Sequence, residues 1–253
     1  MKKRLLICIL MFGATTELLA QNTVNPILRE FTSGIESRDC FYHTVWVCTG
    51  DTIEIDSTDK YNIKYVIDGF WITCTEITQN YWEWYMHSLP DALTNLAMVG
   101  DSLPITCVSR AEVDAFCHQI NISVKQEWRL PTREEWLFAY SGGLFSEGYT
   151  YSGSNHPDYV AWTRRNGSKI PKSGGLLIAN ELGIYDMTGN VAEMVVSDGK
   201  TIVLGGNIDD EPKTLDENIK DYAEHSLPNP LVGFRLVFHQ PIRINKYNER
   251  FFD

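Results

Sequence analysis

The chain has 253 residues, of which 43% are hydrophobic and 12% aromatic, and its formal net charge is -11. This length and composition allow a packed hydrophobic core and exclude an intrinsically disordered chain. The acidic balance argues against nucleic acids and anionic membranes as partners, because both carry negative charge themselves. It agrees with a hard cation or a basic partner, or simply with solubility.

The first 20 residues have the pattern of a secretory signal peptide. Three basic residues at positions 2–4 precede a short apolar run, Leu5–Gly13, and small residues lead to a cleavage point at Ala20. The apolar run is too short to span a bilayer, and no later segment has 18 consecutive apolar residues. We therefore expect an exported protein, periplasmic or extracellular, that does not span a membrane.

The cysteines beyond the signal peptide are odd in number. They are Cys40, Cys48, Cys74, Cys107 and Cys117. At least one thiol is therefore free or paired between chains. An oxidising compartment would allow a disulfide between Cys40 and Cys48, or one between Cys74 and Cys107. The sequence does not choose between these pairings.

The first regular elements follow an irregular lead-in that runs to about residue 40. The segments Phe41–Val47 and Tyr65–Thr73 are rich in β-branched and aromatic residues, which predicts two strands. Further strands are predicted at Lys200–Leu204 and Gly233–Phe238. The connection between those two, Asn207–Val232, is acidic, and a connection of this length is seldom seen without a function or disorder.

Three short helices are indicated by the residues at which they begin. Thr78, Ser109 and Thr132 each precede a helical segment, and their hydroxyl groups can accept from a free backbone N–H. Glu112 and Glu135 follow the second and third of these caps by three positions, which is the spacing of a capping box. From Ser141 onward glycine and polar residues predict compact loops.

Six motifs then occur in a defined order along the chain. They are EITQNYW (Glu76–Trp82), PITCVSRAEVDAFC (Pro104–Cys117), WRLPTREEWLFAYSGG (Trp128–Gly143), NELGIYDMTGNVAEMV (Asn180–Val195), LGGN (Leu204–Asn207) and LVGFRLV (Leu231–Val237). Together they resemble the formylglycine-generating enzyme family, also called the sulfatase-modifying factor family. The most specific part is RLPTREEW followed by LGIYDMTGNVAE and GFR.

The resemblance implies a fold and a division of the chain. The expected fold class is α+β: a C-type-lectin-like, loop-rich sulfatase-modifying-factor fold in a single domain. The expected division is a signal peptide at 1–20, a lead-in with the first strands at 21–64, the sulfatase-modifying-factor-like domain at 65–240 and a C-terminal tail at 241–253.

The resemblance also directs attention to a missing pair of thiols. Enzymes of the family use oxygen and copper to oxidise a substrate cysteine to formylglycine, and their paired thiols lie between a GGS-type motif and GFR. Soft thiolates suit monovalent copper. Here the segment from Gly205 to Arg235 contains no cysteine, and Asn207 replaces the motif serine. Leu236 stands where many relatives have a cysteine that pairs with the one matching Cys117, so Cys117 lacks that partner.

We therefore expect no copper, no catalytic residues and a catalytically degenerate domain that serves as a binding or scaffold module. Its expected partner is a protein or peptide. The alternative is an oxidoreductase of the formylglycine-generating type that converts a substrate cysteine with relocated thiols, for which Cys74 and Cys107 are the candidates.

The stretch from Glu181 to Val195 is the candidate metal site. The family places a calcium ion at the corresponding loop, and the implied ligands are the side chains of Asp186 and Glu193 and the carbonyl oxygens of Gly189 and Val191. Ca²⁺ takes carboxylate and carbonyl oxygens together. The alternatives are a turn in which Asp186 and Asn190 bond local N–H groups, and a weaker acid/base pair formed by Asp186 and Glu193.

Overall fold

The computed structural model describes residues 69–212 and 229–239, together with strand backbone at 44–47, 220–221, 243–244 and 250–251. The predicted signal peptide and the proposed Cys40–Cys48 pairing lie outside the described residues. The predicted domain boundaries therefore stay a prediction.

The helices of the described residues all lie before the long acidic connection. They are α1 (Gln79–Met86), α2 (Asp91–Asn95), α3 (Arg110–Val124), α4 (Arg133–Tyr140) and α5 (Pro157–Val160), with a 3₁₀ turn at Gly143–Phe145. The helices predicted from their caps are confirmed. The oxygen of Thr78 accepts from the Tyr81 N–H, and Ser109 and Thr132 each complete a capping box.

The strands are short and belong to several small sheets. They are β1 (Thr44–Val47), β2 (Phe70–Thr73), β3 (Ala161–Trp162), β4 (Thr188–Gly189), β5 (Ala192–Ser197), β6 (Lys200–Leu204), β7 (Lys220–Asp221), β8 (Val232–Gly233), β9 (Val237–Phe238), β10 (Arg243–Ile244) and β11 (Arg250–Phe251). This mixture of helices and small sheets is the predicted α+β class.

Two of the sheets frame the candidate site. The four-stranded sheet has the order β7-β6-β5-β8, and the three-stranded sheet has the order β1-β2-β9. In the first, Glu193 on β5 lies opposite Leu204 on the antiparallel β6 and Gly233 on the parallel β8. In the second, Ile72 lies opposite Val237.

The prediction of a single strand at Gly233–Phe238 is wrong. The chain forms β8, leaves that sheet over residues 234–236 and joins the other sheet as β9. The crossing residues are held by backbone bonds to a third segment: the Ile77 N–H donates to the Phe234 oxygen, and the Thr73 N–H donates to the Leu236 oxygen. This crossing carries Arg235 into the protein interior.

The hydrophobic core is dominated by aromatic side chains on α1, α3 and the crossing segment. Trp82 stacks on Phe116 with ring centroids 5.0 Å apart, and Phe116 meets Phe234 edge-on at 5.8 Å. Burial of each such side chain contributes about 2–3 kcal/mol relative to exposure. These contacts fix the helices against the two sheets, so that β5 and the 234–236 crossing are rigidly placed.

Candidate functional site

The loop from Gly183 to Asn190 is bent by residues in the left-handed backbone region. Asp186 has φ 58°, Gly189 φ 77° and Asn190 φ 56°. Asp and Asn tolerate this region better than most residues. Gly189 is required for a further reason, because a Cβ built on it would lie 2.2 Å from the Trp162 carbonyl oxygen. The glycine of the motif therefore permits a close backbone approach.

Glu193 and Arg235 form an ion pair in the interior. The Arg235 Nε donates to Glu193 Oε2 at 2.7 Å, and its Nη2 donates to Oε1 at 2.7 Å. The Trp136 indole N–H also donates to Oε2, at 2.6 Å. Two further guanidinium N–H groups, on Nη1 and Nη2, donate to the carbonyl oxygens of Thr73 and Tyr185, both at 2.9 Å. The guanidinium thus ties β5 to β2 and to the 183–190 loop.

Two more carboxyl groups are buried beside this pair. Glu76 is 2% exposed, and its Oε1 accepts from the Asn190 amide at 2.9 Å. Asp186 is 3% exposed, and its Oδ2 accepts from the Gly175 N–H at 2.7 Å. The other oxygen of Asp186, Oδ1, is buried without a hydrogen-bond partner. We call Glu76, Asp186, Glu193 and Arg235 the buried charge cluster.

The buried charge cluster has more acids than its one guanidinium can neutralise. Burial raises the pKa of Asp186 to about 6, although the Gly175 N–H and Arg235 act to lower it. Burial, reinforced by the charges of Asp186 and Glu193, raises the pKa of Glu76 well above its usual range. Burial alone would lower the pKa of Arg235, but the carboxylates, Glu193 foremost, raise it instead. The cluster therefore retains a proton or requires a further cation.

The predicted calcium ligands fit a cation to different degrees. Asp186 Oδ1 is a buried acceptor with no partner, which suits a hard cation. Glu193 uses both oxygens for Arg235, and only Oε1 keeps an acceptor position. Gly189 near the end of the 183–190 loop and Val191 just after it are also buried. Within residues 69–212 and 229–239, no group of three or more His, Cys, Asp or Glu side chains is arranged to hold a metal ion.

A calcium ion here would thus need backbone oxygens for most of its shell. The predicted set of Asp186, Gly189, Val191 and Glu193 stays a prediction. The alternative is a turn in which Asp186 and Asn190 bond local N–H groups, but these side chains accept from the N–H groups of Gly175 and Lys172, which lie 11 and 18 residues away in the chain.

The thiols within the described residues are unpaired and protected. Cys74, Cys107 and Cys117 are free, so the alternative of a Cys74–Cys107 disulfide is wrong. Cys107 and Cys117 are buried, and Cys74 is half-buried. Burial raises the pKa of Cys74 and of Cys117 to about 12. At neutral pH these groups are thiols, whereas copper binding and nucleophilic attack require thiolates.

A second ionic cluster fixes helix α4. Glu135 accepts from Arg129 at 2.7 Å and bonds His239 at 2.9 Å, in addition to its capping bond from the Thr132 N–H. Burial acts to raise the pKa of Glu135, but the Arg129 and His239 hydrogen bonds hold it at about 2. This cluster joins α4 to the end of β9 and is structural.

The sequence did not indicate Glu76 and Arg235 as site residues, although both lie in motifs that carried the resemblance. Glu76 begins EITQNYW, and Arg235 is the arginine of GFR. The available signals in the sequence were a carboxylate, Glu76, shortly after an apolar strand and a lone arginine, Arg235, between apolar residues. What they lacked was any indication that the two segments meet at Glu193.

This arrangement is that of an α+β domain with a C-type-lectin-like, loop-rich fold. Residues 36–240 match the family model described as the sulfatase-modifying factor enzyme 1-like domain, and the chain belongs to this family. The predicted recognition and fold class are thereby confirmed.

Solved structures with the same fold cover most of the chain. Treponema denticola variable protein 1 is 18% identical, with a TM-score of 0.66 over 78% of this chain and 95% of that chain. CarF is 21% identical, with a TM-score of 0.59 over 78% and 98%. PvdO from Pseudomonas aeruginosa is 18% identical, with a TM-score of 0.56 over 79% and 96%. At these identities the likeness concerns the fold alone.

A curated relative matches more closely over a shorter stretch. Chaperone protein LppX of Paenibacillus barcinonensis is 47% identical over 83 residues, which cover 26% of this chain and 30% of the relative. The chain thus spans less than a third of the length of this relative. Among the helices that the structure describes, none has the length and hydrophobicity needed to cross a membrane.

Proposed function

We propose that this protein is an exported, catalytically degenerate member of the formylglycine-generating enzyme family that acts as a binding or scaffold module for a protein or peptide partner. The observation that carries the proposal is the position and burial of the cysteines in this chain. The segment Gly205–Arg235, where the family has its paired thiols, contains no cysteine. The thiols elsewhere in the described residues are free and at least half-buried.

Copper-dependent oxidation has a specific physical requirement, against which the cysteines of the described residues can be compared. Monovalent copper is held by soft ligands such as thiolates, and these must be deprotonated and accessible to substrate. Burial raises the pKa of Cys74 to about 12 and also raises the pKa of Cys107, the two candidates for a relocated pair. Copper would have to displace the proton of each buried thiol, and a raised pKa makes that loss more costly, which disfavours relocation of the copper site to these cysteines.

The framework that would support binding is retained. The Glu193–Arg235 pair uses all three guanidinium nitrogens in hydrogen bonds and joins three segments of chain. Satisfied buried polar networks hold a unique arrangement of the segments they join. Loops placed by such a scaffold are where proteins usually carry their binding surfaces. The relative described as a chaperone protein supports a role in protein binding, over the 83 residues that match.

Calcium belongs to the proposal as a structural ion. Asp186 and Glu193 would supply carboxylate oxygens, and Gly189 and Val191 would supply carbonyl oxygens. The ion would neutralise part of the excess negative charge in the buried charge cluster. Export is proposed from the signal-peptide pattern of residues 1–20, and N-terminal sequencing of secreted material should find a chain that begins after Ala20.

A turnover assay tests the proposal. The mature protein is reconstituted with copper and incubated aerobically with a cysteine-containing peptide, and formylglycine is measured by mass spectrometry. An active enzyme of the family serves as the positive control. We expect no formylglycine above the level of copper alone. Copper-dependent turnover that is lost in a Cys74→Ala variant would overturn the proposal in favour of relocated thiols.

A further inference from the structure

Four large apolar side chains are exposed in the segment 159–180: Tyr159, Ile170, Leu176 and Ile178. Tyr159 is 57% exposed, Leu176 63% and Ile178 59%. The Ile178 N–H donates to the Tyr159 carbonyl oxygen at 2.9 Å, so these two backbones lie side by side. Single exposed apolar residues are ordinary, but a contiguous group of them marks an interaction surface.

The same segment is positively charged in an otherwise acidic chain. It contains no Asp or Glu, and its cations are Arg164, Arg165, Lys169 and Lys172. Arg165 donates to Asp158 at 2.6 Å, which places it beside Tyr159. Arg165 remains 54% exposed, so this surface pair is weak and its charge stays available. We call Tyr159, Arg165, Leu176 and Ile178 the basic–apolar edge.

The buried charge cluster holds the basic–apolar edge in place. The Asp186 carboxylate accepts from the Gly175 N–H at 2.7 Å, next to Leu176. The Asn190 side chain accepts from the Lys172 N–H at 2.8 Å and donates to the Lys172 oxygen at 3.1 Å. An exposed apolar loop tied to the interior in this way loses little conformational freedom when it binds. Such preorganisation favours affinity.

We infer that the basic–apolar edge is the docking site for an acidic, apolar segment of another protein. The inference rests on the proposed binding function and names its surface. Charge complementarity favours an acidic partner, because the segment 159–180 that carries the edge has four cations and no acid, in a chain with 22 cations and 33 acids. Arg164 and Arg165 pair with Asp209 and Asp158 at the surface, and such exposed pairs are weak. The apolar side chains would supply the buried contact area, and Arg165 would select for acids at its border.

Other occupants are disfavoured by the same charges. A symmetric dimer through this surface would place Arg165 and its basic neighbours against their own copies, and like charges repel. Contact of the edge with an acidic face of a second copy would be a head-to-tail arrangement, which does not close in a dimer. An anionic membrane would attract the edge but repel the rest of a chain whose net charge is -11.

Peptide binding to the mature full chain tests the inference. The probe is a fluorescein-labelled 12-residue peptide that alternates Glu with Leu and Tyr, and the comparison peptide has Lys in place of every Glu. Binding is measured by fluorescence anisotropy at 50 and 300 mM salt. We expect the acidic peptide to bind at least tenfold more tightly than the basic one, and to weaken at high salt. Equal binding of the two peptides, or no binding of the acidic one, would overturn the inference.

Variants locate the binding site. The double variant Tyr159→Ser, Ile178→Ser should weaken binding of the acidic peptide by at least tenfold. Arg165→Gln should weaken it and flatten its salt dependence. Ile122→Ser is the matched control, because Ile122 is 62% exposed on α3. An equal loss in the Ile122→Ser variant would overturn the assignment of the site.

Two further measurements separate the other occupants. Sedimentation velocity of the chain alone, and its binding to phosphatidylserine vesicles, are compared between the wild type and the double variant. Self-association or vesicle binding that depends on Tyr159 and Ile178 would overturn the choice of an acidic protein segment. The outcome is independent of the turnover assay. Oxidation of the cysteine peptide would overturn the proposed function but not the assignment of this surface. Failure of the acidic peptide to bind would overturn this inference but not the proposal that the domain is catalytically degenerate.

Discussion

Glu193 and Arg235 lie 42 residues apart in the chain and meet in a two-point ion pair whose side chains are 1% and 0% exposed. The pair joins the four-stranded sheet to the segment that crosses between the sheets. Because the guanidinium also bonds the carbonyl oxygens of Thr73 and Tyr185, it organises the loop that holds the predicted calcium ligands.

Removal of this guanidinium should destabilise the fold strongly. Arg235→Met leaves Glu193 buried without its cation, and breaking a buried pair in this way costs about 3–5 kcal/mol. The free energy of unfolding is measured by urea denaturation. Arg165→Ala, which removes a surface ion pair, is the control and should cost less than about 1 kcal/mol. A cost below about 1 kcal/mol for Arg235→Met would contradict the role given to the pair.

Two glycines with nearly the same positive φ angle should respond differently to alanine. Gly189 and Gly199 have φ 77° and 75°. A Cβ at Gly189 would meet the Trp162 oxygen at 2.2 Å, whereas one at Gly199 would meet nothing within 4 Å. Gly199→Ala should therefore cost only the left-handed strain, about 1–2 kcal/mol. Gly189→Ala should cost several kcal/mol more, and equal thermal unfolding temperatures for the two variants would refute the close approach.

The Glu135 cluster should make stability depend on pH in the acid range. The pKa of Glu135 is lowered to about 2 in the folded protein, so its stabilising effect is fully present above the unfolded value and is lost as pH falls through about 2. A shift of roughly 2 units corresponds to about 3 kcal/mol. Glu135→Gln should lower the free energy of unfolding by roughly that amount at pH 7.

The same variant should lose little near pH 2, because the wild-type carboxyl is about half protonated there and most of its pH-dependent stabilisation has already been lost. The check is a pair of urea titrations across pH 2–7 for the wild type and Glu135→Gln. Curves that stay parallel over this range would show that the Arg129 and His239 contacts do not stabilise the ionised carboxylate.

Calcium should raise the thermal stability of the mature protein if the predicted site binds it. A ligand present at 100 times its dissociation constant stabilises the folded state by about 2.7 kcal/mol. Differential scanning calorimetry with Ca²⁺ and with chelator measures the shift, and Asp186→Asn should reduce it. The control is Asp209→Asn, since Asp209 is 49% exposed in a surface pair. Identical transitions with Ca²⁺ and with chelator would contradict the calcium prediction.

The sequence predicted local features well because their signals are local. The Ser109 and Thr132 capping boxes join residues three positions apart, and the structure shows both. Strand β6 was also predicted with its observed bounds, Lys200–Leu204. Helices α2 and α5 were not predicted, because neither has a side-chain cap and both have five residues or fewer.

The site required contacts that no local pattern reveals. Glu76 and Asn190 are 114 residues apart and share a hydrogen bond. Strand β5, Ala192–Ser197, was not predicted, because no turn residue separates it from the preceding part of the NELGIYDMTGNVAEMV motif. The loop was therefore interpreted through its own acids, Asp186 and Glu193, and the cation supplied by Arg235 from another segment was not foreseen.

The central claim is that this scaffold lacks the soft-metal site of its catalytic relatives. Titration of the mature, reduced protein with monovalent copper in competition with a chromogenic chelator tests it most directly, with X-ray absorption at the copper edge to identify the ligands. The account predicts no copper retained against the chelator. One copper ion per chain, held by two sulfur atoms, would contradict it.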